Sequence, residues 1–208
     1  MIIAVDGPLA SGKGTIARAL AARFGLPHLD TGTLYRATGL AVMDTGTNPA
    51  DAEACAKLAR NLNINRIDGD RIRTAEAGAM ASKVASIPQV RDALFELQRA
   101  FATQPGGAIL DGRDIGTVIC PDAEVKLFVT ADAETRARRR WEELRARGEM
   151  LTFDEMLAQT LERDRRDAGR ADAPMRAAED ATLLDTSSLS IDAAVAQAIR
   201  IVEKRQNS

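Results

Sequence analysis

A glycine-rich loop constrains what this chain can fold into more than any other stretch. Residues 6–15 read DGPLASGKGT; they follow the β-branched run of residues 2–5 and precede a helix-like segment that Gly25 ends. Backbone N–H groups of such a loop, together with the positive end of the following helix, bind phosphate groups. We therefore expect a phosphate-binding loop in which Lys13 neutralises the outer phosphates of a nucleotide.

One position of the loop departs from the commonest pattern. Gly14 stands directly after Lys13, where Ser or Thr is usual, and Thr15 follows. The Gly-Lys-Gly-Thr order resembles the loop of nucleoside monophosphate kinases, in which the Thr hydroxyl serves a magnesium site. A glycine-rich turn with a surface lysine is the simpler alternative, but the flanking strand and helix argue against it.

Five short apolar runs are predicted to be strands, and helical patterns separate them. The runs lie at residues 2–5, 28–30, 108–111, 125–130 and 182–185. This alternation predicts an α/β fold, a five-stranded parallel sheet flanked by helices. Ligands of such sheets bind at the carboxyl ends of the strands. Besides the loop, three polar stretches follow strands: residues 31–36, 111–114 and those after 130.

Helical patterns fill the intervals between the strands. They cover residues 16–24, 31–46, 51–62, 76–84, 88–102, 132–147, 152–168 and the segment after Ser190. Thr152 and Glu155 form a capping box, and Ser86 is a candidate start for the helix at Pro88. The apolar face of the last helix is expected to consist of Ile191, Val195, Ile199 and Val202.

Composition excludes several classes of function. The net charge of −2 gives no general argument for nucleic-acid binding, and no apolar run approaches a membrane span. Cys55 and Cys120 are expected to be buried thiols in a reducing cytosol. His28 is the only histidine, which argues against a histidine-based metal site and a Ser/His triad. We expect a cytoplasmic protein that binds small molecules, with no nucleic-acid or membrane partner.

Arginines cluster in two neighbouring helical segments. The first contains Arg136, Arg138, Arg139 and Arg140, and the second contains Arg163, Arg165, Arg166 and Arg170. A solvated, salt-bridged helix pair would show the same composition. Phosphoryl transfer is the second interpretation, because its transition state spreads charge over phosphate oxygens that planar cations stabilise. The break at Gly148 between the segments is expected to be the tip of a lid.

Acidic residues at strand ends are the candidates for a magnesium site. Asp111 ends an apolar strand and can hold magnesium-bound water, whereas Asp6 and Asp30 are weaker candidates. A strand-end aspartate that satisfies the following turn is the alternative. Arg113 and Asp114 come next; such a pair either reads a ligand with both donors and acceptors or forms a structural ion pair.

Taken together, these segments resemble the bacterial cytidylate kinases over nearly the whole chain. The resemblance is carried by residues 7–15, 30–36, 72–74, 87–91, 112–118, 121–123, 162–164, 166–167, 170 and 185–187. Residues 31–36 (TGTLYR) and 112–118 (GRDIGTV) are the most specific, since many kinases share the loop. The family transfers the γ-phosphate of ATP to CMP or dCMP, so ATP, CMP, dCMP and Mg²⁺ are the expected ligands.

The resemblance also implies roles for individual residues. The loop residues Gly7, Pro8, Leu9, Ala10, Ser11, Gly12, Lys13, Gly14 and Thr15 would bind ATP, and Thr15 and Asp111 would serve Mg²⁺. The CMP site would comprise Thr31, Tyr35, Arg36, Ser82, Arg91, Arg113, Asp114, Arg163, Asp167 and Arg170. In that site Arg36, Arg113 and Arg163 would hold the phosphate, Ser82, Arg91 and Asp114 the base, and Asp167 and Arg170 the sugar. The transferring phosphate would meet Lys13, Arg139, Arg140 and Arg163.

The sequence departs from the family in one region. Bacterial members have a longer insert with a small antiparallel sheet before residues 72–74, and residues 63–74 have room only for a reduced, two-stranded hairpin with a turn at Asp68 and Gly69. We expect a core of residues 1–62 and 105–208, with a lid at about 140–152 and a monophosphate-binding insert at 63–104. A monomer is the expected state.

The residues alone are also compatible with two other functions. A P-loop kinase for another small acceptor, such as AMP, UMP, dTMP or shikimate, would share the loop and the arginines. A nucleotide-dependent switch would share the loop, but the chain shows no guanine-reading Asn-Lys-x-Asp element, and an arginine-rich lid suits transfer better.

Overall fold

The residues that the structure describes form five strands and eight α-helices. The structure, a computed structural model, describes residues 1–63 and 67–206. The strands are β1 (Ile2–Asp6), β2 (His28–Asp30), β3 (Ala108–Gly112), β4 (Val125–Thr130) and β5 (Thr182–Asp185). The helices are α1 (Lys13–Phe24), α2 (Thr31–Asp44), α3 (Ala52–Arg60), α4 (Ala75–Val84), α5 (Pro88–Ala102), α6 (Ala133–Ala146), α7 (Phe153–Ala168) and α8 (Ile191–Gln206). A π turn covers Ile115–Ile119.

The strands form one parallel sheet in the order β2-β3-β1-β4-β5. At its centre, Val5 of β1 pairs with Asp111 of β3 on one side and with Leu127 of β4 on the other. Residues 3–6 of β1 and all of β3 are buried, as expected of strands covered on both faces. The predicted five-stranded parallel α/β fold is confirmed.

One apolar core joins the sheet to α1 and α8. It contains Ile3, Val5, Ile109, Val125, Leu127, Val129 and Leu184 of the sheet, Ile16, Ala17 and Leu20 of α1, and Ala194, Ala198 and Val202 of α8. Because α1 packs against both the sheet and α8, the loop that precedes it rests on a rigid support. No helix in the described ranges is both long and apolar enough to cross a bilayer.

The chain divides into two compact units. The first consists of Met1–Leu29 and Phe101–Ser208, and the second of Asp30–Ala100. Within the second unit, α2 packs closely against α4: a Cβ added at Gly39 would lie 2.9 Å from the backbone nitrogen of Ala81. The functional division into core, lid and insert stays a prediction.

Local signals set most helix ends. Thr152 and Glu155 form the predicted capping box of α7, with the Thr152 hydroxyl accepting from the Glu155 N–H and the Glu155 carboxylate from the Thr152 N–H. Ser190 caps α8 by accepting from the Ala193 N–H at 3.2 Å. These caps satisfy N–H groups that the first turn of a helix leaves unpaired.

One prediction about the start of a helix is wrong, and one about a helix face is confirmed only in part. The Ser86 hydroxyl donates to the Lys83 carbonyl at 2.6 Å and so belongs to the end of α4, while Ile87 takes the cap position of α5. In α8, Val202 is buried and Val195 and Ile199 pack partly buried against the core, as predicted, but Ile191 is 69% exposed. Ala194 and Ala198, which the prediction did not include, are also buried.

The predicted hairpin lies partly outside the described residues. Residues 64–66, its first arm, are not among them. The second arm is a turn instead of a strand: the Asp68 carboxylate accepts from the N–H groups of Asp70 and Arg71, and a 3₁₀ turn follows at Arg71–Arg73. Arg71 also pairs with both carboxylate oxygens of Asp44, which fastens this turn to the end of α2.

Candidate functional site

The phosphate-binding loop lies between β1 and α1, as predicted. Gly12 has φ +89° at the N-cap position of α1, and its carbonyl accepts from the Thr15 N–H at 3.1 Å. Gly7 has φ +151°, and a Cβ there would lie 1.9 Å from the Val129 carbonyl oxygen. Only glycine fits these two positions. Lys13 is the first residue of α1, so its side chain begins at the positive end of the helix.

Asp6 at the end of β1 joins the loop strand to the segment after β3. Its two oxygens accept from the N–H groups of Ile115 (2.8 Å) and Gly116 (2.7 Å). Burial raises the pKa of Asp6 to about 7; the two N–H groups and the Lys13 charge oppose the shift, and the Asp114 charge adds to it. Because both oxygens are engaged by backbone, the geometry supports a positioning role better than the weaker prediction of a metal ligand.

Asp111 lies in β3 beside the loop. Its carboxylate is buried, and Oδ1 is 2.7 Å from Nε2 of His28 in β2. Oδ2 faces the loop, since it would lie 3.7 Å from a Cβ added at Gly14, the residue between Lys13 and Thr15. Sequence reasoning missed His28 as a partner because the two residues are 83 positions apart.

The oxygen donors beside the loop suit magnesium. Thr15 offers a hydroxyl, which accepts from Arg18 at 3.3 Å, and Asp111 offers a carboxylate. Mg²⁺ in nucleotide sites keeps several waters and binds substrate phosphates, so it needs only one or two protein ligands. Arg18 is a cation that sequence reasoning missed; a Cβ at Gly14 would lie 3.6 Å from its guanidinium.

Three arginines converge on the buried carboxylate of Asp167 in α7. Arg113 Nε donates to Oδ2 at 3.0 Å, Arg163 Nε lies 3.8 Å from the same oxygen, and Arg170 donates to Oδ1. Burial, the largest influence, raises the pKa of Asp167, but the three guanidinium charges together outweigh it and hold the pKa below its ordinary value. Three guanidinium groups lie together here, and guanidinium is the side-chain group that binds phosphate oxygens with paired hydrogen bonds.

Asp114 follows Arg113 and precedes the π turn. It is buried, and its backbone carbonyl accepts from the N–H groups of Val118 (2.9 Å) and Ile119 (3.2 Å). Since Asp6 holds the same turn from the side of β1, the backbone of Arg113 and Asp114 is fixed. The first unit therefore contains the loop, Asp111, Arg113, Asp114 and the Asp167 cluster.

Arg136 in α6 is a structural residue. Its two Nη atoms bind the Asp164 carboxylate in α7 at 3.0 and 2.6 Å, and Nε donates to the Ala131 carbonyl at 2.8 Å. Nη1 also lies 3.4 Å from the Leu9 carbonyl of the loop. One guanidinium thus fixes α6, α7 and the loop, as the salt-bridged interpretation of the helix pair expects.

Arg139 and Arg140 have different surroundings. Arg139 donates to the hydroxyl (3.0 Å) and to the carbonyl (2.8 Å) of Thr186, which follows β5. Arg140 is buried and pairs with Glu143 at 2.7 Å. Their predicted action on the transferring phosphate stays a prediction.

Aromatic contacts join the two arms of the predicted lid. Trp141 donates its Nε1–H to the Leu151 carbonyl at 2.7 Å, and its ring meets Phe153 edge-on, with 6.1 Å between the centroids. The Arg145 guanidinium lies 4.6 Å from the Trp141 ring centre. These contacts hold the end of α6 to the start of α7.

A cavity of about 500 Å³ lies beside the phosphate-binding loop in the first unit. Arg139 and Thr186 line it, and Leu189, Ile191 and Val195 give it an apolar wall. A mostly apolar wall with one guanidinium and one carboxylate, that of Glu143, suits the planar base of a nucleotide whose phosphates occupy the loop. Sequence reasoning missed this cavity because its walls come from the loop, α6 and the start of α8.

The second unit contains the other residues predicted to bind CMP. Thr31, Tyr35 and Arg36 lie in the first turns of α2, and Thr31 is buried. Arg91 of α5 is also buried; it donates to the Tyr35 hydroxyl at 3.4 Å, and its guanidinium lies 6.0 Å from the Tyr35 ring centre. Ser82 is buried in α4, the helix that packs against α2.

Solved structures share this fold. A shikimate kinase from Bacteroides thetaiotaomicron matches with a TM-score of 0.52 at 12% identity, over 98% of both chains. A gluconokinase from Sinorhizobium meliloti 1021 matches with a TM-score of 0.53 at 14% identity, over 99% of this chain and 93% of that one. At these identities the likeness concerns the fold alone.

Comparison of sequences identifies the family more specifically than the likeness of folds does. The family model for cytidylate kinase matches residues 3–204. A cytidylate kinase from Methylocella silvestris is 55% identical over all of this chain and 96% of that protein, and one from Xanthobacter autotrophicus is 56% identical over 99% of each. The phosphate-binding loop and the carboxylate surrounded by arginines are consistent with these matches. The chain belongs to the cytidylate kinase family.

Proposed function

We propose that this protein is a (d)CMP kinase, which transfers the γ-phosphate of ATP to CMP or dCMP and releases ADP with CDP or dCDP. The observation that carries the proposal is the convergence of Arg113, Arg163 and Arg170 on Asp167, in the same unit as the phosphate-binding loop. A phosphate donor and a phosphate acceptor both need cationic surroundings, and this unit has two sets of them.

The donor binds along the loop and the cavity beside it. Backbone N–H groups of residues 7–15 and the positive end of α1 hold the phosphates, and Lys13 neutralises the outer ones. The base occupies the cavity of about 500 Å³. Thr15 and Asp111 would hold Mg²⁺, Asp111 through water, and the ion would neutralise charge that develops on the phosphates during transfer.

The residues proposed to bind the acceptor are taken unit by unit. In the first, Arg113 and Arg163 hold the CMP phosphate, Asp114 accepts from the cytosine amino group, and Asp167 and Arg170 meet the sugar. In the second, Arg36 assists at the phosphate, while Ser82 and Arg91 read the base beside Thr31 and Tyr35. Cytosine presents an amino donor and acceptor N and O atoms, which a carboxylate and a guanidinium match.

Transfer is direct. A phosphate oxygen of CMP forms a bond to the γ-phosphorus as the bond from that phosphorus to the β,γ-bridging oxygen breaks, and ADP leaves with the electron pair. Lys13, Arg139, Arg140 and Arg163 stabilise charge on the transferring oxygens. Closing the site against water would limit ATP hydrolysis.

A coupled assay of ADP release tests the proposal. The acceptors are CMP, dCMP, UMP, AMP, dTMP and shikimate, with Mg²⁺ and ATP present, and the Lys13→Ala variant serves as the inactive control. We expect rapid turnover with CMP and dCMP. Preference for AMP or shikimate would reject the cytidine assignment, and slow hydrolysis with no transfer to any acceptor would favour a nucleotide switch. A cytoplasmic location and a monomeric state stay predictions; size-exclusion chromatography decides the second.

A further inference from the structure

Thr186 links an arginine of the cavity wall to the phosphate-binding loop. Its hydroxyl accepts from Arg139 Nη1 at 3.0 Å and donates to the Ser11 carbonyl at 2.9 Å. Its backbone carbonyl accepts from Nη2 of the same arginine at 2.8 Å. Arg139, Thr186 and Ser11 all border the cavity. A single residue therefore receives both arms of the guanidinium and bonds to the loop.

The surroundings of Thr186 are rigid. The residue is 3% exposed, its N–H donates to the Thr130 carbonyl at the end of β4 (2.8 Å), and its hydroxyl lies 3.1 Å from the same carbonyl. Thr186 thus stays fixed to the sheet. An arginine side chain samples many rotamers in water, and ordering it when a ligand binds reduces affinity. The two hydrogen bonds to Thr186 order Arg139 in advance.

We propose that Thr186 is a positioning residue for the phosphate donor. It holds Arg139 at the wall of the base cavity and joins that wall to Ser11, so the base and the phosphates of a nucleoside triphosphate meet surfaces that are already aligned. The inference rests on the proposed function, because it assigns the cavity and the loop to one donor nucleotide.

Two substitutions that change the size of the side chain little test the role of the hydroxyl independently of the rest of the side chain. Thr186→Val keeps the shape and removes the hydroxyl, whereas Thr186→Ser keeps the hydroxyl. Since a hydrogen bond to a charged group is lost, we expect Thr186→Val to raise the KM for ATP, and the Kd for ATP measured calorimetrically without CMP, about tenfold. The KM for CMP should stay near the wild-type value, and Thr186→Ser should bind ATP nearly as the wild type does.

A neighbouring hydroxyl provides the matched control. Ser187 Oγ accepts from the Asp132 N–H at 2.9 Å and donates to Asp185, so it also supports the start of α6, but it is not one of the residues that border the cavity. Ser187→Ala should leave ATP binding unchanged. In addition, the effect of Thr186→Val should be smaller in an Arg139→Met background, because the part of it that acts through Arg139 is already lost.

Three outcomes would overturn the inference. They are an unchanged affinity of Thr186→Val for ATP, an equal loss of its affinities for ATP and CMP, and an affinity of Thr186→Ser for ATP as weak as that of Thr186→Val. Should Thr186→Val fail to fold, Thr186→Ala decides: it also removes the hydroxyl, so it must bind ATP more weakly than Thr186→Ser does. A wild-type protein that binds ATP but phosphorylates no CMP would reject the proposed function, while the calorimetry would still decide the role of Thr186.

Discussion

Two buried carboxylates of the first unit have pKa values that are shifted in opposite directions. Asp6 is 5% exposed and faces backbone N–H groups, and burial raises its pKa to about 7. Asp167 is 1% exposed, yet its pKa lies below the ordinary value because three guanidinium groups surround it. At neutral pH, therefore, Asp167 is ionised, while Asp6 is near the midpoint of its titration.

The raised pKa of Asp6 makes stability depend on pH. The folded state holds this proton up to about pH 7, whereas an unfolded chain releases it near 3.8, so the contribution of Asp6 to the free energy of unfolding is greatest below about pH 4 and is lost as the pH rises toward 7. Urea unfolding at a series of pH values measures this slope. In Asp6→Asn that part of the slope should disappear; an identical slope in both proteins would contradict the assignment.

Removing the charge of Asp167 should destabilise the fold and strengthen the binding of phosphate by the three arginines around it. Asp167→Asn leaves three arginines without their shared counter-ion, and we expect a loss of about 3–5 kcal/mol in the free energy of unfolding at pH 7. Inorganic phosphate should raise the melting temperature of the variant more than that of the wild type. Asp154→Asn, an exposed position in the first turn of the same helix, is the control and should change stability little.

Local sequence patterns predicted the strands and helices better than they predicted the contacts between residues far apart in the chain. β4 and the capping box of α7 were predictable because a buried apolar run and a Thr/Glu pair act within a few residues. The bonds of Asp6 to the π turn span more than a hundred residues, and the Thr186 link spans 175. Such contacts exist only once the sheet has formed, so no local pattern reveals them. The exposure of Ile191 likewise depends on tertiary packing, so a local pattern could not predict it.

The close approach of α2 and α4 is the element contact most sensitive to size. A methyl group at Gly39 would meet backbone atoms of Ala81, which cannot move aside as a flexible side chain could. We expect Gly39→Ala to lower the free energy of unfolding by about 1–3 kcal/mol. Gly69→Ala, where a Cβ would meet nothing within 4 Å in the described residues, is the control in the same unit; an equal loss in both would contradict the packing argument.

ATP and CMP should protect different parts of the chain from hydrogen exchange. The proposed ATP-binding residues belong to the first unit, whereas the proposed CMP-binding residues are divided between the two units. In hydrogen exchange followed by mass spectrometry, ATP alone should protect residues 7–15 and the segment around Thr186. CMP should protect the first turns of α2 and also the Asp167 cluster. If CMP left the exchange of either segment unchanged, the roles proposed for the residues of that segment would be rejected.

The aromatic contacts of the lid have a practical consequence. Trp141 is the only tryptophan of the chain, and its indole touches both arms of the predicted lid. Indole emission depends on the polarity of its surroundings and on nearby charges such as Arg145. The intrinsic fluorescence of the unlabelled protein therefore reports on this one segment, and a stopped-flow trace with ATP would time any rearrangement there without an added dye.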